Sequence, residues 1–199
     1  VAPLAFERIL RHPGRKRLLV ITKGLLGKLS ERFDLDPNAP YLQIAPNGTD
    51  LAQYQNLPDP ETARRKLNLP DSLTAGYTGH LYAGRGADLL LGLAEQNPQV
   101  NFLWVGGRPK DVEAWRQKLA GLDINNVTLT GFVSQQDLPL YQAACDILLM
   151  PYERVITGSS GGNSADFCSP MKLFDYLASG RAILSSDLPV LHEVLDENN

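Results

Sequence analysis

From Leu73 onward the chain repeats one pattern: a short apolar run, then a longer stretch whose apolar residues recur every three or four positions. The short runs are residues 73–78, 101–106, 127–132, 146–151 and 181–186, and the longer stretches are 85–96, 110–121, 135–144 and 170–179. Strands separated by helices of ~10–15 residues cannot close hairpins, so each connection is a crossover and the sheet it builds is parallel. An α/β fold follows, a parallel sheet with helices on both faces. Ligands of such sheets bind beyond the carboxyl ends of the strands, which makes the loops after the strands the place to look for chemistry.

The region before this pattern reads differently. Residues 3–12 form an amphipathic helix, 17–22 a short buried strand and 23–33 a second helix. Residues 34–54, with Pro37, Pro40, Pro46 and the Asn47-Gly48 turn signal, read as punctuation and an interdomain hinge without a packed element of its own. Apolar residues make up 43% of the chain, enough for a core, yet no apolar run reaches the roughly 20 residues that span a bilayer. The opening residues lack the charged and apolar regions of a signal peptide. Two cysteines (Cys145, Cys168) and three histidines (His12, His80, His192) show no metal-ligand spacing, so zinc and disulfide architectures are excluded and a reducing cytoplasmic setting is expected. The net charge of −3 hides an asymmetry, because residues 1–30 carry seven basic residues against Glu7 alone. This basic segment reads as a peripheral contact to an anionic partner, such as the inner face of a membrane, or as a solvated helix face. No nucleic-acid partner is expected.

Four strand-end segments carry candidate chemistry. In the first, Gly79 to Gly86 (GHLYAGRG), Gly84 and Gly86 flank Arg85 at a helix start, where backbone amides and a guanidinium favour an anion. A tight turn with a solvated arginine fits the same letters. In the second, Gly131-Phe132-Val133, the aromatic ring is either a wall for a flat base or a core side chain at a strand end. The third runs from Pro151 through Tyr152, Glu153 and Arg154 to Pro170; its small residues 158–162 suit a loop that wraps a ligand, or one that is merely disordered. There Ser169 reads as an N-cap and Pro170 as the first helical residue. The fourth is the helix that follows. Lys172 lies in its first turn, against the helix dipole, a conflict that a bound phosphate would remove. Asp175, three residues on, is placed either to accept hydrogen bonds from ribose hydroxyls or to pair with Lys172 on the surface.

Taken in order, these segments resemble the retaining group 1 glycosyltransferases of GT-B fold, the glycosyltransferase family 4-like enzymes. The linker pattern Pro-Asn-Gly-Val-Asp is matched by Pro46-Asn47-Gly48-Thr49-Asp50. The loop Gly-Arg-Leu-x-x-x-Lys-Gly resembles Gly79-His80-Leu81-x-x-x-Arg85-Gly86, and Gly-Phe-Val recurs at 131–133. Residues 169–180 are similar to Ser-Pro-x-Lys-Leu-Phe-Glu-Tyr-x-Ala-x-Gly, with Asp175 in place of the glutamate, and Ser186–Pro189 and Glu193-Val194 continue the likeness. One departure is that Phe167 stands where the family's paired acids have their first member. His80 likewise replaces an arginine.

The resemblance implies a Rossmann-like donor-binding domain over residues 55–199, incomplete at its end, joined by a linker at 34–54 to a remnant of an acceptor domain at 1–33. It implies transfer of a sugar from a nucleotide-diphosphate sugar to a carbohydrate or lipid acceptor, with retention, no metal and no cofactor beyond the donor substrate. Arg85 and Lys172 are then the catalytic cations. Gly79, His80, Gly86, Phe132, Val133, Ser169 and Asp175 bind donor, Asp175 at the ribose and Phe132 with Val133 at the base. The isolated 199-residue chain is expected to be a fragment that transfers no sugar. Two alternatives stand beside this reading: a sugar-nucleotide-binding module without catalysis, and an unrelated doubly wound nucleotide-binding domain. The missing G-x-G-x-x-G speaks against the second.

Overall fold

The structure is a computed structural model describing residues 3–10, 12, 14, 17–81, 85–155 and 163–196. The chain divides into two compact units, one of Val1–Asn47, Asn163–Ser169 and Asp187–Asn199, the other of Gly48–Gly162 and Pro170–Ser186.

The first unit holds α1 (Pro3–Leu10), β1 (Leu18–Val20), α2 (Lys23–Phe33) and β2 (Leu42–Ile44). The strands pair in parallel, Leu18 opposite Leu42 and Val20 opposite Ile44. A strand therefore lies in the stretch read as punctuation. Three residues are too few to show a period, and Pro37 and Pro40 dominate the local signal. At the start of α2, Thr22 accepts from the Leu25 amide at 3.0 Å. The Glu193 carboxylate takes the amides of Lys23 and Gly24 at 2.7 and 2.9 Å. Part of the basic segment is used internally, since Lys28 pairs with Asp166 at 3.1 Å and Arg17 donates to Gln43 at 2.8 Å. Arg11, Arg15 and Lys16 lie outside the described residues. No described helix is long and apolar enough to cross a membrane.

The second unit opens with a 3₁₀ turn at Leu51–Tyr54 and α3 (Pro60–Lys66). α3 escapes the sequence pattern because its seven residues carry one small apolar side chain, Ala63. Its start is nevertheless encoded, by Pro60 and by Asp59, which accepts from the Thr62 amide at 2.8 Å. Then follow β3 (Thr74–Thr78), α4 (Ala87–Gln96), β4 (Asn101–Val105), α5 (Pro109–Gly121), β5 (Val127–Gly131), α6 (Leu138–Ala143), β6 (Ile147–Met150), α7 (Met171–Ser179) and β7 (Ala182–Ser185). The strands form one parallel sheet in the order β5-β4-β3-β6-β7, as the α/β reading expects.

Alternation along each strand sends side chains to opposite faces. Ala75, Tyr77, Phe102, Trp104 and Leu149 join Leu90 and Ala94 of α4 and Val112 and Leu119 of α5 in one core. Trp104 meets Trp115 edge to face, with centroids 5.4 Å apart. At the amino ends of the strands the buried Arg64 donates to Asp146 at 3.0 Å, and the same carboxylate oxygen takes the Thr74 amide at 2.8 Å. This network ties α3 to β3 and β6, well away from the carboxyl ends.

Candidate functional site

The strand order reverses at β3. The chain builds β4 and β5 on one side of it, then returns to lay β6 on the other. Helices leave opposite faces at such a point and open a crevice between the carboxyl ends. Here β3 and β6 share two register pairs, Ala75 with Ile147 and Gly76 with Leu148, and separate beyond them. The fully buried Tyr176 of α7 fills the gap. Its hydroxyl accepts from the Thr78 amide at 2.9 Å and donates to the Leu149 carbonyl at 3.4 Å. Burial holds this phenol above its ordinary pKa, so it stays neutral and able to donate.

Above that gap lie the predicted cations. Lys172, on the first turn of α7, places Nζ 3.9 Å from the centroid of the Tyr77 ring and 5.2 Å from that of Tyr152. Gly79, at φ 145°, makes room for it, because a Cβ there would lie 3.0 Å from Nζ. Removal from water, with Arg85 adding like charge, draws the lysine pKa down to about 7. The Arg85 guanidinium carbon is itself 5.9 Å from the Tyr152 centroid, so two cations gather on one ring. An anion between them would relieve both the repulsion and the desolvation.

The loops that carry these groups are pinned by the backbone. Tyr77 donates its hydroxyl to the His80 carbonyl at 2.8 Å, and the Trp115 indole donates to the Leu81 carbonyl at 3.0 Å. The His80 side chain is exposed. Gly86 caps α4 at φ 77°, so close to β6 that a Cβ would stand 1.6 Å from the Pro151 carbonyl oxygen. Its amide meets the Glu153 carboxylate at 3.3 Å. Gly79, Arg85, Gly86 and Lys172 are thus brought together, whereas Gly84 and residues 158–162 lie outside the described residues.

The remaining candidates sit elsewhere. Phe132 follows the edge strand β5 and is 84% exposed, which overturns the core-aromatic alternative; Val133 beside it is half-buried. Ser169 does not cap α7. The helix begins at Met171, Pro170 holds the cap position without a side-chain bond, and the Ser169 carbonyl accepts from the Asn47 amide group at 2.7 Å. The half-buried Asp175 is held by Thr49, whose hydroxyl donates to Oδ1 at 2.6 Å, in place of the surface pair with Lys172. Sequence reasoning misses Tyr77, Trp115 and Tyr176. For Tyr77 the available signal is an aromatic one residue before the end of a strand whose following loop begins with glycine; Trp115 and Tyr176 lie on helices and carry no such signal.

Residues 73–199 match the sequence model of a family described as glycosyl transferases group 1. Over 119 residues, 60% of this chain and 28% of the other, the sequence is 31% identical to TuaH of Bacillus subtilis (strain 168), provisionally named a teichuronic acid biosynthesis glycosyltransferase. Among solved structures, a glycosyltransferase from Rickettsia africae ESF-5 aligns with a TM-score of 0.72 at 13% identity, over 98% of this chain and 51% of its own. Anabaena Alr3699/HepE, crystallised with UDP and glucose, aligns with a TM-score of 0.68 at 18% identity, over 92% of this chain and 47% of its own. This chain spans about half the length of those two solved proteins.

Proposed function

The chain belongs to the group 1 glycosyl transferases and has the α/β fold of a GT-B glycosyltransferase domain, and on that premise we propose that it binds the nucleotide-diphosphate-sugar donor for a polysaccharide-building transfer. Residues 55–199 form the donor domain, 34–54 the linker and 1–33 part of the acceptor half in this reading. The observation that carries it is the pair Lys172 and Arg85 on the ring of Tyr152, at the carboxyl ends where the strand order reverses. Family membership sets aside an unrelated nucleotide-binding domain.

Departure of the sugar leaves negative charge on the diphosphate, and fixed cations aimed at that charge lower the barrier. Lys172 and Arg85 take this role without a metal, with His80 and the amides at the start of α7 assisting. Asp175 accepts ribose hydroxyls, and Phe132 with Val133 face the base. Retention of configuration rests on the resemblance of the motifs. UDP is the nucleotide to test first, because HepE was crystallised with it; the sequence relation to TuaH supports a carbohydrate acceptor.

Calorimetric titration with UDP, GDP and ADP, each with and without EDTA, tests this reading. Binding is expected to survive EDTA, and affinity that vanishes with chelation and returns with Mg²⁺ would refute the metal-free clamp. Arg85→Ala is expected to weaken UDP roughly 10–150-fold while leaving uridine unchanged, since a hydrogen bond to a charged group is worth ~1.5–3 kcal/mol. Arg85→Lys should recover part of the loss, without bidentate geometry. Equal weakening of both ligands would make Arg85 a turn residue only.

A further inference from the structure

Asp175 is one turn along α7 from Lys172, yet its carboxylate is not left to find its own orientation. The Thr49 hydroxyl donates to Oδ1 at 2.6 Å, and both residues are half-buried. Thr49 stands just ahead of the capped 3₁₀ turn at Leu51–Tyr54. The next residue, Asp50, caps the 3₁₀ turn by accepting from the Ala52 amide at 3.0 Å and from the Gln53 side chain at 3.2 Å. That turn ends in the buried Tyr54, whose hydroxyl is held neutral first by burial and then by the negative field of Asp175. The Thr49 bond commits Oδ1, and the second carboxylate oxygen, Oδ2, is a further acceptor.

We infer that Thr49 is a positioning residue: by occupying Oδ1 it fixes the Asp175 carboxylate so that Oδ2 meets the vicinal hydroxyls of the donor's ribose. This rests on the donor-binding reading of the site. Thr49 touches no ligand itself. Its contribution is to remove the rotamer choices of a side chain that would otherwise lose them on binding.

A positioning role differs from a structural one in which ligand feels the change. Calorimetry with UDP and with 2′,3′-dideoxy-UDP is run on the wild-type chain, Thr49→Val and Thr49→Ser. Valine keeps the shape and removes the donor, whereas serine keeps the donor. Thr49→Val is expected to weaken UDP roughly 2–12-fold, the worth of one ordinary hydrogen bond, and to leave the dideoxy analogue unchanged. Thr49→Ser should restore UDP affinity. Equal weakening of both ligands would make Thr49 a packing residue, and an unchanged UDP affinity would also overturn the inference. A wild-type chain that binds UDP and its dideoxy analogue equally would place Asp175 off the ribose and remove the ground for the inference. No binding of UDP, GDP or ADP would bring down the donor-site reading with it.

Discussion

Replacing Lys172 with methionine is expected to weaken UDP by roughly 10–150-fold, the worth of a hydrogen bond to a charged group, and to remove a pH dependence that the native chain shows. In the free protein the lysine has a pKa of about 7 because its ammonium is desolvated and faces Arg85. A diphosphate against Nζ favours the ammonium, so the pKa rises on binding. Below pH 7 the free lysine is already charged and binding takes up no proton there. Above pH 7 it must be recharged, and apparent affinity falls by up to about tenfold per pH unit. Methionine fills the space beside Tyr77 and Tyr152 with no proton to gain. At pH 8 the nucleotide's terminal phosphate, with a second pKa of about 6, is already ionised in both chains, so the difference between them reports Lys172. The same shift acts on stability. A folded pKa below the unfolded value of 10.5 leaves a charged lysine at a penalty that is full below about 7 and relieved as pH rises toward 10.5. Calorimetry at pH 8 in buffers of different ionisation enthalpy measures the proton directly. Proton uptake that is identical in the native and Lys172→Met chains would end this account.

The largest loss of stability is expected at Gly86. An added methyl would stand 1.6 Å from the Pro151 carbonyl oxygen, and the backbone is at φ 77°. The left-handed conformation costs alanine about 1–2 kcal/mol, and forcing apart packed backbone adds roughly 1–3 kcal/mol. Gly86→Ala should therefore lower stability by ~2–5 kcal/mol and Tm by about 4–20 °C for a chain of this size. The control lies in the same helix. Gly92 has open space where a methyl would stand, so Gly92→Ala should hold or raise Tm, since glycine in a helix interior is worth ~0.5–1 kcal/mol less than alanine. Both melts can be followed by circular dichroism. A Gly86→Ala chain that melted with the native one would show that α4 shifts freely against β6.

All five strands of the larger sheet are readable from their apolar runs. β4 and β6 are almost wholly buried and nearly continuous in apolar residues, while the edge strands β5 and β7 are only partly covered yet keep enough of them to stand out. Their order is not, since β3 beside β6 is a pairing between residues some 70 positions apart that no local period records. Gly79, Arg85, Gly86 and Lys172 can be named as site candidates because a strand end followed by a helix start is a local pattern. Lys172 can be seen to oppose its helix dipole, but its altered basicity depends on Tyr77, Tyr152 and Arg85, which only the tertiary fold collects. Ser169 and Pro170 form a plausible cap in sequence, yet α7 starts one residue later and Ser169 spends its carbonyl on Asn47. Asp175 is visible as an acid on the right helix, while its partner Thr49 lies 126 residues away.

One oxygen atom, that of Tyr176, joins Thr78 to Leu149 where a ladder of bonds would otherwise continue. A ladder resists shear because its bonds repeat; a single hydroxyl has no repeat to share the load. The upper end of this joint therefore has less backbone bonding to resist sliding than its lower end, with β5-β4-β3 and Gly79 on one side and β6-β7 with Pro151 and Tyr152 on the other. Any motion along it is read directly as a change in the gap above it. A rigid anion held from both sides would act as a rivet, stiffening the whole sheet from its rim, far from the Arg64 network that fastens the opposite edge.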